Sequence, residues 1–81
     1  MKDVLEKVFM DAYERGLDVF VETTIPNQSD TEFIISRNSS ILNKLEYYKK
    51  TYDDELVHNH CNDIKIIRIG AIEFNLEEMR K

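Results

Sequence analysis

Cysteine, glycine and proline are all scarce in this sequence of 81 residues. Cys61 is the single cysteine, so an internal disulfide is excluded, and a lone thiol is typical of a reducing compartment. Two isolated glycines exclude a glycine-rich phosphate-binding loop, and the low glycine and proline content argues against a disordered chain. A single hydrophobic core must therefore supply the stability, which for this length is about 4–12 kcal/mol.

Long apolar runs are also missing. No run approaches the length that spans a bilayer, and acids interrupt the apolar residues of the first six positions, which is not the pattern of a signal peptide. The sequence therefore predicts a cytoplasmic protein with no membrane association. With 42% hydrophobic residues, four phenylalanines and four tyrosines, the composition is that of one globular domain over residues 1–81.

The formal net charge of −5 is concentrated towards the N-terminus. Residues 1–32 contain eight acidic and three basic residues, whereas residues 33–81 contain eight of each. Because an acidic surface repels phosphate backbones, general nucleic-acid binding is disfavoured. Two interpretations remain, namely a solvated acidic face or a surface that binds a basic protein partner.

Helical periodicity first occurs over residues 3–15. Asp3 is a candidate N-cap, and Gly16 is a candidate C-terminal stop because a left-handed residue is often required there. The apolar stripe at i, i+3, i+4, i+7 and i+8 consists of Leu5, Val8, Phe9, Ala12 and Tyr13.

A second helical pattern follows the candidate N-caps at residues 38–40. Its apolar positions are Ile41, Leu45, Tyr48 and Tyr52. Residues 53–55 are all acidic, and three negative charges at the negative end of a helix dipole are unfavourable. We therefore predict that the helix ends near Tyr52 and that Asp53 caps a further short turn.

Three segments have strand patterns. Residues 17–25 alternate, a turn-forming stretch occupies residues 26–30, and the pattern resumes at residues 31–36, which predicts a β-hairpin. Residues 64–74 are rich in isoleucine, with Gly70 indicating a bulge or bend. The predicted fold is α+β with the order α-β-β-α-β and a short C-terminal tail. It has a three-stranded, mainly antiparallel sheet with both helices on one face.

The predicted sheet contains more apolar residues than one face can bury. Phe20 and Ile34 lie on the side of their strands opposite to the main group of apolar residues. The last strand has isoleucines on both sides. We therefore expect the helix-free face to be covered by tail residues Leu76 and Met79, by a second copy or by a partner. Tyr47 on the second helix is a further candidate for a protein contact, because tyrosine is favoured at such contacts. The candidate interface residues are Phe20, Ile34, Ile67, Ile69 and Tyr47.

His58, His60 and Cys61 form the single cluster of residue types that bind zinc. Ligands so close in sequence cannot easily surround one ion, no second ligand pair occurs elsewhere, and in an extended segment Cys61 points away from the histidines. A plain polar loop over residues 58–63 is therefore the favoured interpretation, with metal binding as the alternative. No cofactor is expected.

No pattern of catalytic residues is found. Cys61 has no identifiable orienting group, the serines are explained by turns and caps, and the adjacent acids at residues 53–55 fit an exposed turn. We therefore predict no enzymatic activity and no small-molecule substrate. The predicted function is a protein-interaction module that forms a homodimer or binds a protein partner.

Nucleic-acid binding is the alternative function. Lysines and a tyrosine lie close together on the second helix, where bases could stack between cations, although Glu46 and Asp53 reduce the positive field. The surface for this alternative consists of Lys44, Tyr47, Lys49 and Lys50, together with Lys65 and Arg68.

Three strings carry a resemblance to known sequences. They are Glu-Phe-Ile-Ile at residues 32–35, Leu-Glu-Tyr-Tyr-Lys-Lys-Thr-Tyr-Asp at residues 45–53, and Ile-Lys-Ile-Ile at residues 64–67. In this pattern, residues 22–69 resemble small uncharacterised proteins encoded by phages and prophages of Gram-positive bacteria. The resemblance implies an accessory protein that binds a host or phage protein, and it transfers no catalytic residue.

Overall fold

The computed structural model describes residues 2–73, in which two helices are each followed by a pair of strands. The elements are α1 (Lys2–Arg15), β1 (Asp18–Thr24), β2 (Thr31–Ser36), a 3₁₀ turn (Asn38–Ser40), α2 (Ile41–Thr51), β3 (Val57–His58) and β4 (Cys61–Ile72). All strand pairs are antiparallel, in the order β2-β1-β4-β3. The predicted α+β class is confirmed. The predicted count of three strands is wrong because β3 was not foreseen.

The end of α1 is built as the sequence predicts. Gly16 has a φ of 70°, a left-handed conformation that strains residues with a Cβ. The backbone N–H of Leu17 donates to the carbonyl of Ala12 at 2.8 Å, which is the wide hydrogen bond of a Schellman motif. This turn reverses the chain and leads directly into β1.

The end of α2 also follows the prediction. Tyr52 leaves the helical conformation, with a φ of −113° and a ψ of 148°. The carboxylate of Asp53 then accepts hydrogen bonds from the backbone N–H groups of Glu55 at 2.8 Å and Val57 at 3.0 Å. The acidic run is therefore used as a turn cap outside the helix, where it does not oppose the helix dipole.

The predicted polar loop at residues 58–63 is instead a tight hairpin. His58 pairs with Cys61 across the turn, and the backbone N–H of Ile66 donates to the carbonyl of Leu56 at 2.9 Å. The side chain of Asn59 donates to the carbonyl of Lys50 at 2.9 Å, which attaches the hairpin to the end of α2. β3 has two residues, which is too short for an alternation of apolar and polar residues, so the sequence pattern did not indicate this strand.

One hydrophobic cluster joins both helices to the sheet. The rings of Phe9 on α1 and Tyr48 on α2 lie 5.7 Å apart between their centroids, above Val19 and Val21 of β1. The face of the sheet that carries these valines is called the inner face, and the opposite one the open face. The buried residues of the cluster are Leu5, Phe9, Ala12, Val19, Val21, Ile41, Leu45, Tyr48, Tyr52, Leu56 and Ile66.

The open face of the sheet as a candidate binding surface

Strand register defines which side chains lie on the open face. Because Val19 and Val21 face the helices, Phe20 and Glu22 must point to the opposite side. Phe20 lies between Ile35 of β2 and Gly70 of β4, and Glu22 lies between Phe33 and Arg68. The open face is therefore centred on Phe20, Glu22, Phe33, Ile35, Arg68 and Gly70.

Gly70 makes room for the ring of Phe20. A Cβ at position 70 would lie 2.7 Å from Cε1 of Phe20, a distance that real carbon atoms do not tolerate. The ring therefore covers the backbone of β4 where a side chain is missing. It also approaches Phe33, with 6.0 Å between the ring centroids. The sequence prediction of a bulge or bend at Gly70 is wrong, because here the glycine admits a neighbouring aromatic ring.

The bulge lies at Ile67 instead. Glu22 is opposite Arg68 and Thr23 is opposite Ile66, so Ile67 has no partner of its own on β1. An extra residue in one strand shifts the alternation of all side chains beyond it. Ile66 and Ile69 therefore both face the helices, three positions apart, while Ile67 is 46% exposed.

Glu22 and Arg68 form an ion pair within this apolar surface. Glu22 accepts a hydrogen bond from the hydroxyl of Thr31 and another from Nε of Arg68 at 2.5 Å. These two hydrogen bonds, that of Thr31 first, hold the pKa of Glu22 below its ordinary value of 4.5. The guanidinium of Arg68 lies 5.6 Å from the centroid of the Phe33 ring, and its side chain is 64% exposed.

Within residues 2–73, large apolar side chains of the open face are exposed. The predicted cover of this face by Leu76 and Met79 lies outside the residues that the structure describes. Phe33 is 54% exposed and Ile35 is 40% exposed, although both lie within β2. Aromatic residues and arginine are enriched in the cores of protein interfaces, because they combine large contact area with hydrogen-bonding capacity. The open face presents these residue types side by side.

Two of the predicted interface residues lie on the other side of the sheet. Ile34 and Ile69 are both opposite Val21, on the inner face, and Ile69 packs against the hydrophobic cluster. Their assignment to the helix-free face is therefore wrong. Ile34 lies on the inner face because the pairing with β1 places the two faces of β2 opposite to the prediction. Ile69 lies on the inner face because the bulge shifts the alternation of side chains along β4 by one residue. Ile67 lies at the bulge and lines a groove with Val4 of α1, so its assignment to the helix-free face is wrong as well. Phe20 lies on the open face as expected.

Phe33 and Ile35 were missed by the sequence interpretation, which assigned them to the main apolar set of their strand. The hairpin register decides the side on which they lie, because Ser36 pairs with the buried Val19, and the alternation of residues within β2 does not reveal this register. Tyr47, the remaining candidate, is 50% exposed on α2, where its ring lies 5.2 Å from that of Tyr48.

Two lysines of the surface proposed to bind nucleic acid form ion pairs with carboxylates. Lys49 Nζ lies 3.6 Å from Glu6 Oε1, and Lys50 Nζ lies 3.1 Å from Glu46 Oε1. Lys44 lies 6.0 Å from the centroid of the Tyr47 ring. The positive field at this surface is therefore reduced by nearby carboxylates, which disfavours contact with phosphates.

The histidine and cysteine cluster has a different geometry from the one expected. The hairpin places Cys61 opposite His58, whereas an extended segment would separate them. Nδ1 of His58 accepts a hydrogen bond from the backbone N–H of His60 at 3.0 Å, so this nitrogen is already engaged. Within residues 2–73, no three His, Cys, Asp or Glu side chains are grouped to hold a metal ion.

The fold and this surface define a small α+β protein with an antiparallel sheet that is covered by helices on one side. No protein-family model matches the sequence, and neither the curated proteins nor the solved structures include a significant match. In residues 2–73, neither helix is both long enough and apolar enough to cross a membrane.

The contact between Gly70 and Phe20 leads to a first prediction. We expect Gly70→Ala to lower the free energy of unfolding by about 1 kcal/mol, because the added methyl group displaces the Phe20 ring. In a Phe20→Ala background the same substitution is expected to have no cost. Urea denaturation of the four proteins in this double-mutant cycle measures the coupling, and equal effects in both backgrounds would contradict the described contact.

The lowered pKa of Glu22 leads to a second prediction. Because the pKa is lower in the folded state, this carboxylate stabilises the fold above about pH 4.5, and the contribution is lost as the pH falls through the folded pKa. We expect the stability difference between the wild type and Glu22→Gln to be largest near neutral pH and to shrink below pH 4.5. Urea denaturation at several pH values tests this, and a difference independent of pH would disprove it.

Proposed function

We propose that this chain is a non-enzymatic protein-interaction module that works in the cytoplasm and binds a protein partner through the open face. The observation that carries the proposal is the exposure of Phe33 and Ile35 on the face of the sheet that no helix covers within residues 2–73. Exposed apolar side chains that lie together on one face of a small domain are typical of a binding surface.

The partner fits a particular chemistry. Phe20, Phe33 and Ile35 offer contact area to apolar side chains. Arg68 is held by Glu22 through Nε, so its exposed guanidinium keeps further donors for a carbonyl or carboxylate on the partner. An apolar surface that carries an acidic side chain near its centre would match both features.

The setting proposed from the resemblance is a phage or prophage accessory protein. Small accessory proteins of this kind often act by binding a host or phage protein, and an exposed apolar face is suited to such binding. The proposal does not depend on this setting, because its support comes from the open face itself.

A capture experiment with matched variants tests the proposal. The tagged wild type, a Phe33→Ser/Ile35→Ser variant and a Leu42→Ser/Tyr47→Ser variant are compared in a lysate of the organism that encodes the chain. All four positions are exposed, so both variants are expected to remain folded, which circular dichroism verifies. The two α2 substitutions remove a similar amount of apolar surface from the helical side.

The expected result is one partner that is captured by the wild type and by the α2 variant, and whose recovery falls at least tenfold with the open-face variant. A partner lost only with the α2 variant would place the binding surface around Tyr47 and refute the open-face proposal. A partner retained by all three proteins would refute it as well.

A further inference from the structure

The outer edge of β4 is a second unpaired surface of this fold. β4 is 12 residues long, and β1 pairs with it on one side from Ile66 to Ile72. On the other side, β3 pairs with it at Lys65 and Cys61. Within residues 2–73, no strand pairs with residues 67–72 on that side, and this segment is called the outer edge.

An apolar groove runs beside the outer edge on the helical side. Its lining is Val4, Leu56 and residues 66–69, and its volume is about 220 Å³, which is enough for an aliphatic side chain. Val4 is 53% exposed and Ile67 is 46% exposed, so the groove is open to an incoming strand. An unpaired strand edge with an apolar groove is suited to the addition of another strand.

The two edges of the sheet differ in how they are protected. On β2, Glu32 is opposite the buried Thr23 and so lies on the inner face, where a charged side chain hinders pairing with another strand. The outer edge of β4 has no such charge, because Arg68 lies on the open face opposite Glu22. Residues 67–72 also contain no proline.

We propose that two copies of this chain pair through the outer edges of β4 to form one continuous antiparallel sheet of eight strands. Identical edges that pair antiparallel are related by a two-fold axis perpendicular to the sheet, so both open faces lie on the same side. The backbone N–H of Ile66 is already bonded to Leu56, so the free segment begins at Ile67.

The best side-chain contacts arise when the two β4 strands are aligned with Ile69 of one copy opposite Ile69 of the other. This alignment places Ile67 opposite Ala71 of the copy and the two Ile69 residues at the end of the groove. Arg68 then faces Gly70, so no like charges meet. A register centred on Gly70 would instead place Ile67 opposite the charged Glu73 and pair two glycines, which offers less side-chain contact.

Sedimentation equilibrium of the full chain over a concentration series tests the dimer. We expect a mass that rises towards twice 9.6 kDa. Ile67→Glu and Ala71→Lys are each expected to weaken association at least tenfold, because each places a charge in the apolar contact. Combining the two substitutions brings the new carboxylate of one copy opposite the new ammonium group of the other at two symmetric sites, so association is expected to recover.

A disulfide experiment tests the register directly. In a Cys61→Ser background, Ile69→Cys places two thiols opposite each other at the two-fold axis, where cross-strand spacing allows a disulfide. Under mild oxidation we expect a covalent dimer with Ile69→Cys and none with Ser39→Cys, an exposed position far from β4 in the sequence. Phe33→Ser is the control for the open face and is expected to leave the dimer intact.

A monomer at every concentration would overturn the proposal, as would a dimer that survives Ile67→Glu. A dimer lost with Phe33→Ser would show that the open faces associate with each other, which also contradicts edge pairing. The outcome is independent of the capture experiment, since Ile67 and Ala71 do not belong to the open-face variant.

Discussion

Replacing Phe9 with alanine is expected to lower the free energy of unfolding by about 3–5 kcal/mol. Phe9 is fully buried, and its ring packs against Tyr48 between the two helices. Since the whole fold is worth about 4–12 kcal/mol, this single cavity removes a large share of its stability. Urea denaturation followed by circular dichroism measures the loss.

Tyr13→Ala on the same helix is the matched control. Tyr13 is 43% exposed, so its truncation is expected to change the free energy of unfolding by less than about 1 kcal/mol. Equal losses for the two variants would show that α1 does not bury Phe9 in the way described.

The second large effect is expected at Asn38. Its Nδ2 group donates to the carbonyls of Leu17 at 2.9 Å and Ala12 at 3.2 Å, so one side chain satisfies the C-terminal end of α1. Its backbone N–H donates to Asp18 Oδ1 at 2.7 Å. Asn38→Asp replaces this donor by a carboxylate that faces the carbonyls and lies beside Asp18. We expect a loss of about 2–3 kcal/mol in the free energy of unfolding.

Asn43→Asp is the control for the added charge, because Asn43 is exposed on α2. Asn38→Ala should fall between the two, since it removes the donor without adding repulsion. If Asn38→Asp is no more damaging than Asn43→Asp in thermal and urea denaturation, the cap of α1 does not depend on Asn38.

Sequence patterns located the elements of local structure well. The helix stop at Gly16 and the break at Tyr52 could be foreseen, because a left-handed residue and an acidic run have direct local consequences. The hairpin formed by β1 and β2 was also foreseen, since alternation and turn composition are local signals.

The pairing of the strands decides which side chains share a face of the sheet, and the sequence pattern alone does not show this pairing. The bulge at Ile67 depends on how β4 aligns with β1, and it alone moves Ile69 to the inner face. The faces of β2 depend in the same way on the hairpin register, so Ile34 and Phe33 were assigned to the wrong sides. A single residue of shift exchanges the two faces of a strand, which is why the candidate site was predicted less well than the elements that carry it.

The cap at Asn38 was likewise beyond the reach of the sequence interpretation. Residues 38–40 read as N-cap candidates for α2, whereas the Asn38 side chain serves the end of α1. Its acceptors at residues 12, 13 and 17 are distant in sequence, so no local pattern could identify them.

The position of β1 between β2 and β4 has a consequence for the synthesis of this protein. As the chain leaves the ribosome, α1, β1 and β2 emerge early and can form local structure. Val19 and Val21, however, gain their β4 partners Ala71 and Ile69 only when β4 has been released. The apolar side chains of β1 in the nascent hairpin therefore lack these neighbours at first, and chaperones that bind such segments are expected to contact the hairpin until β4 is added.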